Sequence, residues 1–313
     1  MKISNNIQQK LLCPKTKDRL EQNGDFLVNT SNNTIRYPII DGIPVLINKQ
    51  NSVFSIEDFV NRKNTTFNLK ESRSKKIIRN FIPKISANIK AQENYQELAD
   101  ILPKDAKILV IGGSIKGKGM DSIYSSESFE IVGSDVSFGP YTKIILDAHD
   151  IPFEDEVFDC VIVQAVLEHV MEPQRCVDEI HRVLKPAGIV YAETPFMQQV
   201  HMKQYDFTRF THLGHRRLFR YFEELKTGPT CGPGMALAWS YTYFLRSFTT
   251  SKVLSRLLSM FAHATSFFLK YFDYYLIDKP GSYDAAAGYF FMGKKQNECL
   301  SDRELIQQFK GLT

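Results

Sequence analysis

The chain has 313 residues, of which 43% are hydrophobic, so it can bury a full core and still leave room for a second unit. The net charge of +4 comes from 39 basic and 35 acidic residues. This imbalance is too small for the basic stripe of a typical nucleic-acid-binding protein. The five cysteines are scattered, which argues against a disulfide framework, and residues 1–9 lack the apolar segment of a secretory signal. These features predict a cytoplasmic protein.

The first fifty residues predict a small β unit, with β-like runs at 25–29 and 34–47 that are broken by Asn-Gly, Tyr-Pro and Asp-Gly pairs. The segments LLCPKT (11–16) and YPIIDGIPVL (37–46) resemble the zinc-ribbon family of methyltransferase-activator subunits. A zinc ribbon needs about four soft ligands in paired knuckles. Thr16 stands where a partner of Cys13 is needed, and the second knuckle has no cysteine. We therefore expect a metal-free unit at 1–50, acting either as a docking module or as a stabilising cap.

A polar stretch of mixed charge at 51–83 predicts a linker with some helical content. Apolar residues then recur with helical spacing from 84 to 102. This pattern predicts a helix that leads into the main domain, with one face formed by Ile85, Ile89, Tyr95, Leu98 and Ile101.

The middle of the chain has the pattern of a nucleoside-binding α/β domain. The run 107–111 predicts a central parallel strand, and the glycines after it let the backbone approach a ligand closely. A second strand, 129–135, ends in Asp135, whose carboxylate can accept hydrogen bonds from both ribose hydroxyls. Asp147 ends a third run and can accept a bond from an adenine amino group, and Ala148 leaves space for a flat ring. Asp135 could instead be a turn residue.

Over about residues 95–225 the chain resembles the class I S-adenosylmethionine-dependent methyltransferases of the type-11 group. The segment FDCVIVQAVLEHV (158–170) matches that family's fourth strand and the following turn, and EIHRVLKPAGIV (179–190) matches its helix, tight turn and fifth strand. The resemblance implies S-adenosyl-L-methionine as cofactor. The cofactor-binding positions it implies are Gly112, Gly113, Ser114, Asp135, Asp147, Ala148, Gln164 and His169.

The chain departs from the family pattern at Val110, because an acidic residue usually stands two positions before the first glycine. Nicotinamide dehydrogenases share the glycine-rich architecture, but this chain lacks a clean G-x-G-x-x-G. The alternative for His169 is a packed residue at a helix start.

Candidate catalytic residues follow the fifth strand, where an open parallel sheet places its ligand. The segment 194–211 resembles one found in methyltransferases of bacterial surface-glycan clusters, with a histidine, then Asp-aromatic-x-Arg-Phe-Thr, then a helix like 218–222. His201 could deprotonate a sugar hydroxyl, with Asp206 or Arg209 orienting the acceptor. The alternatives are a structural histidine and an ion pair that caps a helix starting near Thr211.

The last strand is predicted at 285–294 and the strand before it at 222–227, so an insertion at 233–282 separates them. Its part 235–277 is aromatic and aliphatic, but charges interrupt it too often for a membrane span. We expect two amphipathic helices that break near 249–251. They could cover the active site, pair two subunits in a homodimer, lie on a membrane surface, or simply pack on the sheet.

Together these features predict a doubly wound α/β fold with a Rossmann-like seven-stranded sheet, a small N-terminal β unit and a helical insertion. The methyltransferase domain would cover 84–298 and a tail 299–313. The predicted reaction is O-methylation of a saccharide or cell-envelope precursor, without a metal ion, in the cytoplasm or at the inner face of the membrane. The alternatives are an RNA methyltransferase, which the modest charge disfavours, and a non-catalytic scaffold.

Overall fold

The computed structural model describes residues 1–63, 65 and 82–312, so part of the predicted linker, 64 and 66–81, lies outside the described residues. Eleven strands of the described chain form one sheet. They are β1 Leu20–Asn23, β2 Phe26–Asn29, β3 Arg36–Ile40, β4 Ile43–Leu46, β5 Lys107–Ile111, β6 Glu130–Asp135, β7 Ile144–Leu146, β8 Phe158–Gln164, β9 Leu184–Pro195, β10 Phe222–Cys231 and β11 Gly288–Lys295.

Seven of these strands form the doubly wound sheet in the order β7-β6-β5-β8-β9-β11-β10. All pairs from β7 to β9 are parallel, and β11 is antiparallel to both of its neighbours. In the central strands β5 and β8 most residues are buried, as continuous apolar runs require when helices cover both faces of a sheet. The predicted Rossmann-like α/β fold is confirmed.

The N-terminal unit continues this sheet at its edge. Strands β1 to β4 form an antiparallel meander, and β4 pairs in parallel with β7 through Val45 and Ile145. The tight turn between β3 and β4 uses Asp41 and Gly42, both with positive φ, which suits an Asp-Gly pair. This pairing leaves the residues that follow β4 close to the carboxyl ends of the central strands.

Eleven α-helices are described. They are α1 Asn5–Gln8, α2 Ile56–Val60, α3 Ala91–Ile101, α4 Asp121–Tyr124, α5 Pro173–Val183, α6 His212–Leu218, α7 Pro233–Arg246, α8 Lys252–Ser266, α9 Leu269–Leu276, α10 Pro280–Ala285 and α11 Asp302–Gln307. None of the helices in the described ranges is long and apolar enough to span a membrane.

The helix predicted from residue 84 starts only at Ala91. The backbone N–H of Ile89 donates to the Thr230 carbonyl of β10 at 3.0 Å, and the Asn88 side chain accepts from the Ala91 N–H at 3.0 Å. These bonds hold the preceding residues in a non-helical path. Ile85 is buried before the helix, whereas Ile101 is 47% exposed, so the predicted apolar face was wrong at both ends.

The part of the insertion expected to form two helices, 235–277, contains three, α7 to α9, and the short α10 extends past the predicted end of the insertion at 282. The predicted break near 249–251 is confirmed, since α7 ends at Arg246 and α8 begins at Lys252. The expected second helix is divided because the Asp273 carboxylate accepts from the N–H groups of Gly234 and Met235 at 2.7 and 2.9 Å. These bonds fix α9 against the first turn of α7, where unpaired N–H groups attract an anion.

The predicted helix at 218–222 is also wrong, because α6 ends at Leu218 and β10 begins at Phe222. The buried Arg216 guanidinium donates to the carbonyls of Phe219 and Phe222 at 2.8 and 3.1 Å. It thereby stabilises a turn in place of another helical turn.

Candidate cofactor and acceptor site

A cavity of about 390 Å³ opens at the carboxyl ends of β5 to β8, where open parallel sheets bind their ligands. The predicted cofactor residues that line it are Gly112, Asp135, Asp147, Ala148, Gln164 and His169. Gly113 and Ser114 do not line the cavity. The Gly113 N–H donates to the Ser134 carbonyl at 2.8 Å and thus ties the glycine turn to β6.

Gly112 occupies a position that only glycine fits. Its φ is +74°, and a Cβ there would lie 2.3 Å from Cγ2 of Val166, which also lines the cavity. The backbone therefore passes unusually close to the turn after β8, as close approach to a ligand requires.

Asp135 lies at the end of β6 with its carboxylate on the cavity wall, 6% exposed. Its Oδ2 accepts from the Ser114 N–H at 3.0 Å, which fixes the side chain's orientation. Burial raises the pKa of this carboxyl group. A ligand hydroxyl that donates to it would favour the charged form.

Asp147 is already engaged within the protein. One oxygen bonds to Nδ1 of His149 at 2.5 Å, and the other accepts from the Ser52 hydroxyl at 2.5 Å. Burial opposes the charge, but the bonds from His149 and Ser52 outweigh it and lower the pKa of Asp147. His149 in turn accepts from the Glu172 N–H at 3.1 Å. Asp147 thus anchors the segment after β4 to the cavity.

That segment supplies part of the cavity wall, which the sequence analysis missed. Val53 and Phe54 line the cavity, and the ring of Phe54 lies 5.6 Å from the ring of Tyr205, which also lines it. Residues that had been assigned to a linker therefore cover the ligand pocket. The sequence gives little indication of this, because Val53 and Phe54 stand between polar residues and do not belong to an apolar pattern with helix or strand spacing.

A group of polar residues around Glu193 also lines the cavity, and the sequence patterns did not indicate it. The Glu193 carboxylate is buried and accepts from the Tyr191 hydroxyl, the Gln164 amide and the Asn88 amide at 2.6 to 3.0 Å. Burial raises its pKa. Asn88, Lys118 and Glu193 line the same cavity as Val110. The position of Glu193 at the end of β9 could have indicated a site residue.

The turn after β8 brings Glu168 and His169 against His201. The Nε2 atoms of His169 and His201 lie 3.6 and 3.9 Å from Oε1 of Glu168, and the two rings meet edge to face at 4.8 Å. Glu168 is fully buried, and neither carboxylate oxygen has a hydrogen-bond partner among the described residues. Burial raises the pKa of Glu168 to about 8 and lowers the pKa of His169 to about 4. Burial also lowers the pKa of His201.

The predicted catalytic residues His201, Asp206 and Arg209 lie together, at the edge of the cavity rather than in its wall. Asp206 forms a two-point ion pair with Arg209 and accepts from the backbone N–H of His201 at 2.7 Å. Burial opposes its charge, but the bonds from Arg209 hold the pKa of Asp206 well below its usual range. Arg209 also donates to the Gln198 and Thr208 carbonyls. Asp206 and Arg209 thus tie together the loop that presents His201.

The residues present fit S-adenosylmethionine. The glycine turn, which a Cβ would block, lets the backbone come close to a ligand, and the cavity offers a buried carboxylate for the ribose, apolar side chains for the adenine and polar side chains for the amino-acid part.

Residues 118–192 match the methyltransferase domain family. A demethylmenaquinone methyltransferase of Clavibacter sepedonicus is 50% identical over 42 residues, which span 13% of this chain and 17% of that relative's length. Among solved structures, phosphoethanolamine N-methyltransferase 2 of Haemonchus contortus, in complex with S-adenosyl-L-methionine, is similar at 15% identity. The TM-score is 0.43, with 66% of this chain and 52% of that chain covered. Coclaurine N-methyltransferase is similar at 10% identity with a TM-score of 0.40, and the alignment covers 65% of this chain and 71% of that chain.

The family match, the strand order and the cavity define a class I S-adenosylmethionine-dependent methyltransferase domain. S-adenosylmethionine is the cofactor of this class, and residues 118–192 carry the match to the methyltransferase domain family.

Proposed function

We propose that the protein transfers a methyl group from S-adenosylmethionine to a hydroxyl oxygen of a saccharide or related envelope precursor. The observation that carries this proposal is an imidazole, His201, in ring contact with His169 on the cavity wall. Methyl transfer is an in-line displacement, so the acceptor must lie on the axis of the breaking carbon–sulfur bond, and we place it beside His201, outside the part of the cavity that Asp135 lines.

His201 is suited to accept the hydroxyl proton. Its lowered pKa leaves the ring neutral at neutral pH, and Asp206 holds its backbone and faces its Nδ1 at 3.3 Å. This arrangement resembles other base–carboxylate pairs, in which the acid orients the imidazole. Asp206 and Arg209 act as positioning residues, since their polar atoms are used within the loop.

Glu193 supports cofactor binding in spite of Val110. Its carboxylate lines the same cavity as Val110 and could supply the negative charge that the family usually places at that position. A cationic amino group of the cofactor would pair with it.

The helical insertion suits an acceptor carried on a membrane lipid. Residues 247–272 contain no acidic residue but include Lys252, Arg256 and Lys270. Large apolar side chains on α8 and α9 are exposed, namely Val253, Leu254, Leu257, Met260, Phe261, Tyr271 and Phe272. Apolar side chains among basic ones match the interfacial region of an anionic bilayer.

The insertion is also joined to the loop that presents His201. The Tyr243 hydroxyl of α7 donates to the Val200 carbonyl at 2.9 Å, and the Gln199 amide donates to the Ser240 hydroxyl at 3.1 Å. A membrane-bound insertion would therefore place the acceptor side of the pocket near the lipid surface.

The test is transfer of a labelled methyl group from S-adenosylmethionine to a panel of saccharides, free and lipid-linked, with RNA as a separate arm. We expect saccharide-dependent label that falls about a hundredfold or more in His201→Ala. His263→Gln on α8, outside the cavity lining, is the matched control. Label on RNA would favour the RNA methyltransferase alternative. Binding of S-adenosylhomocysteine without transfer to any acceptor would favour the scaffold.

Membrane contact has its own test, sedimentation with vesicles of phosphatidylcholine alone or mixed with phosphatidylglycerol. We expect binding to the anionic vesicles that Leu257→Glu and Phe261→Glu together abolish. Equal recovery of wild type and variant from both vesicles, or a concentration-dependent dimer that the two substitutions dissociate, would contradict it.

A further inference from the structure

We propose that Glu168, His169 and His201 bind a divalent transition-metal ion of the zinc class at the acceptor side of the cofactor pocket. Each residue offers one ligand atom, and the three atoms lie within 4.8 Å of one another. Two imidazole nitrogens and one carboxylate oxygen form a ligand set that Zn²⁺ and Co²⁺ favour, with further positions open for water or substrate.

The buried carboxylate gives the first independent reason. Glu168 is completely buried, and both of its oxygens lack a hydrogen-bond partner among the described residues. An unpaired carboxylate in a buried position is costly, so such a group either keeps its proton or is compensated by a charge partner or a metal ion. Arg209, whose positive charge acts on Glu168 through space, is already paired with Asp206. A cation between Glu168 and the two histidines would compensate the charge.

The outer contacts of the two histidines give the second reason. Nδ1 of His169 donates to the Tyr205 carbonyl at 2.6 Å, and Nδ1 of His201 faces the Asp206 carboxylate at 3.3 Å and the Gln199 carbonyl at 3.4 Å. Metal-binding histidines usually donate their second nitrogen to a carbonyl or carboxylate in this way. Both Nε2 lone pairs are therefore left to face Glu168.

The spacing requires one of the histidines to move. Ligand bonds of about 2.1 Å in a tetrahedral site place ligand atoms about 3.4 Å apart. The observed separations from Glu168, 3.6 and 3.9 Å, exceed this by a few tenths of an ångström, whereas the three ligand atoms as a set lie within 4.8 Å of one another, so the two imidazole nitrogens must approach each other by about an ångström. His201 lies on a partly exposed loop and can approach without disturbing a strand.

The catalytic use of the ion rests on the proposed function. An acceptor hydroxyl bound to the ion would lose its proton to solvent more readily, as metal-bound water does. The oxygen lone pair would then form the bond to the methyl carbon while the carbon–sulfur bond breaks and its electron pair stays on sulfur. With the ion bound, solvent takes the hydroxyl proton, so His201 acts as a metal ligand; without the ion, His201 is the proton acceptor of the proposed function.

Cobalt titration of the full chain tests the site, because Co²⁺ bound by nitrogen and oxygen ligands absorbs visible light. We expect one Co²⁺ per chain, displaced by Zn²⁺, and at least a tenfold loss of affinity in Glu168→Gln and in His201→Ala. His263→Gln should bind as the wild type does. Absence of saturable binding, or binding that Glu168→Gln and His201→Ala leave unchanged, would overturn the inference.

Titration of S-adenosylhomocysteine into the same samples separates this inference from the proposed function. Cofactor binding without a cobalt spectrum removes the metal site and leaves the methyltransferase intact. A cobalt spectrum without cofactor binding would support the metal site and contradict the methyltransferase function. Retained cofactor binding in Glu168→Gln also shows that the variant is folded.

Discussion

The substitution Gly112→Ala tests the glycine turn, because two separate penalties meet at that position. The first is conformational: a φ of +74° in an L-residue costs about 1 to 2 kcal/mol. The second is steric, since the new Cβ would lie 2.3 Å from Cγ2 of Val166. Valine is stiff about χ1 and cannot simply rotate away. Overpacking of this kind adds about 1 to 3 kcal/mol.

We therefore expect Gly112→Ala to lower the free energy of unfolding by about 2 to 5 kcal/mol. In a Val166→Ala background the same substitution should cost only the conformational part, about 1 to 2 kcal/mol. Urea denaturation of the four proteins gives the coupling energy directly. Equal penalties in the two backgrounds, or a single-variant penalty below about 0.5 kcal/mol, would refute the reasoning.

Two further predictions concern stability at acid pH and the wall of the cofactor pocket. His215 is buried, and burial lowers its pKa to about 3 against 6.5 for the unfolded chain, so stability is lost as pH falls below 6.5. We expect His215→Leu to remove about 2 kcal/mol of the stability difference between pH 7.5 and pH 5, measured by urea denaturation; an unchanged pH slope would contradict this. Phe54→Ala should weaken S-adenosylhomocysteine binding several-fold because it removes a cavity-lining ring that packs against Tyr205. The control Val60→Ala, at an exposed position on α2, should leave the affinity for S-adenosylhomocysteine unchanged. Equal affinities of the wild type, Phe54→Ala and Val60→Ala would show that residues after β4 do not cover the cofactor.

The fold of the central domain could be predicted because its strands are buried on both faces and therefore appear as continuous apolar runs. Asp135 and Asp147 were found for the same reason, since each ends such a run. Val53, Phe54 and Asn88 could not be found in this way. They reach the cavity only because β4 pairs with β7 and because Ile89 is bound to β10, and both contacts join residues far apart in the sequence.

The grouping of Glu168 with two histidines could not be predicted from the sequence, for a different reason. The sequence segment 158–170 was identified as the fourth strand and its turn, and His169 and His201 were both singled out. Their meeting point is a buried carboxylate, and the cost of burying it becomes visible only when its surroundings are known. The number of helices in the insertion was missed because the contact of Asp273 with the start of α7 has no local signal.

The carboxylate of Asp135, at the end of β6, is expected to hold the cofactor in the cavity. Calorimetric titration of S-adenosylhomocysteine into wild type, Asp135→Ala and the exposed control Asp100→Ala tests it most directly. We predict saturable binding that Asp135→Ala weakens at least tenfold, about 1.4 kcal/mol, and that Asp100→Ala leaves unchanged. Absence of binding to the wild type, or equal binding to wild type and Asp135→Ala, would contradict it.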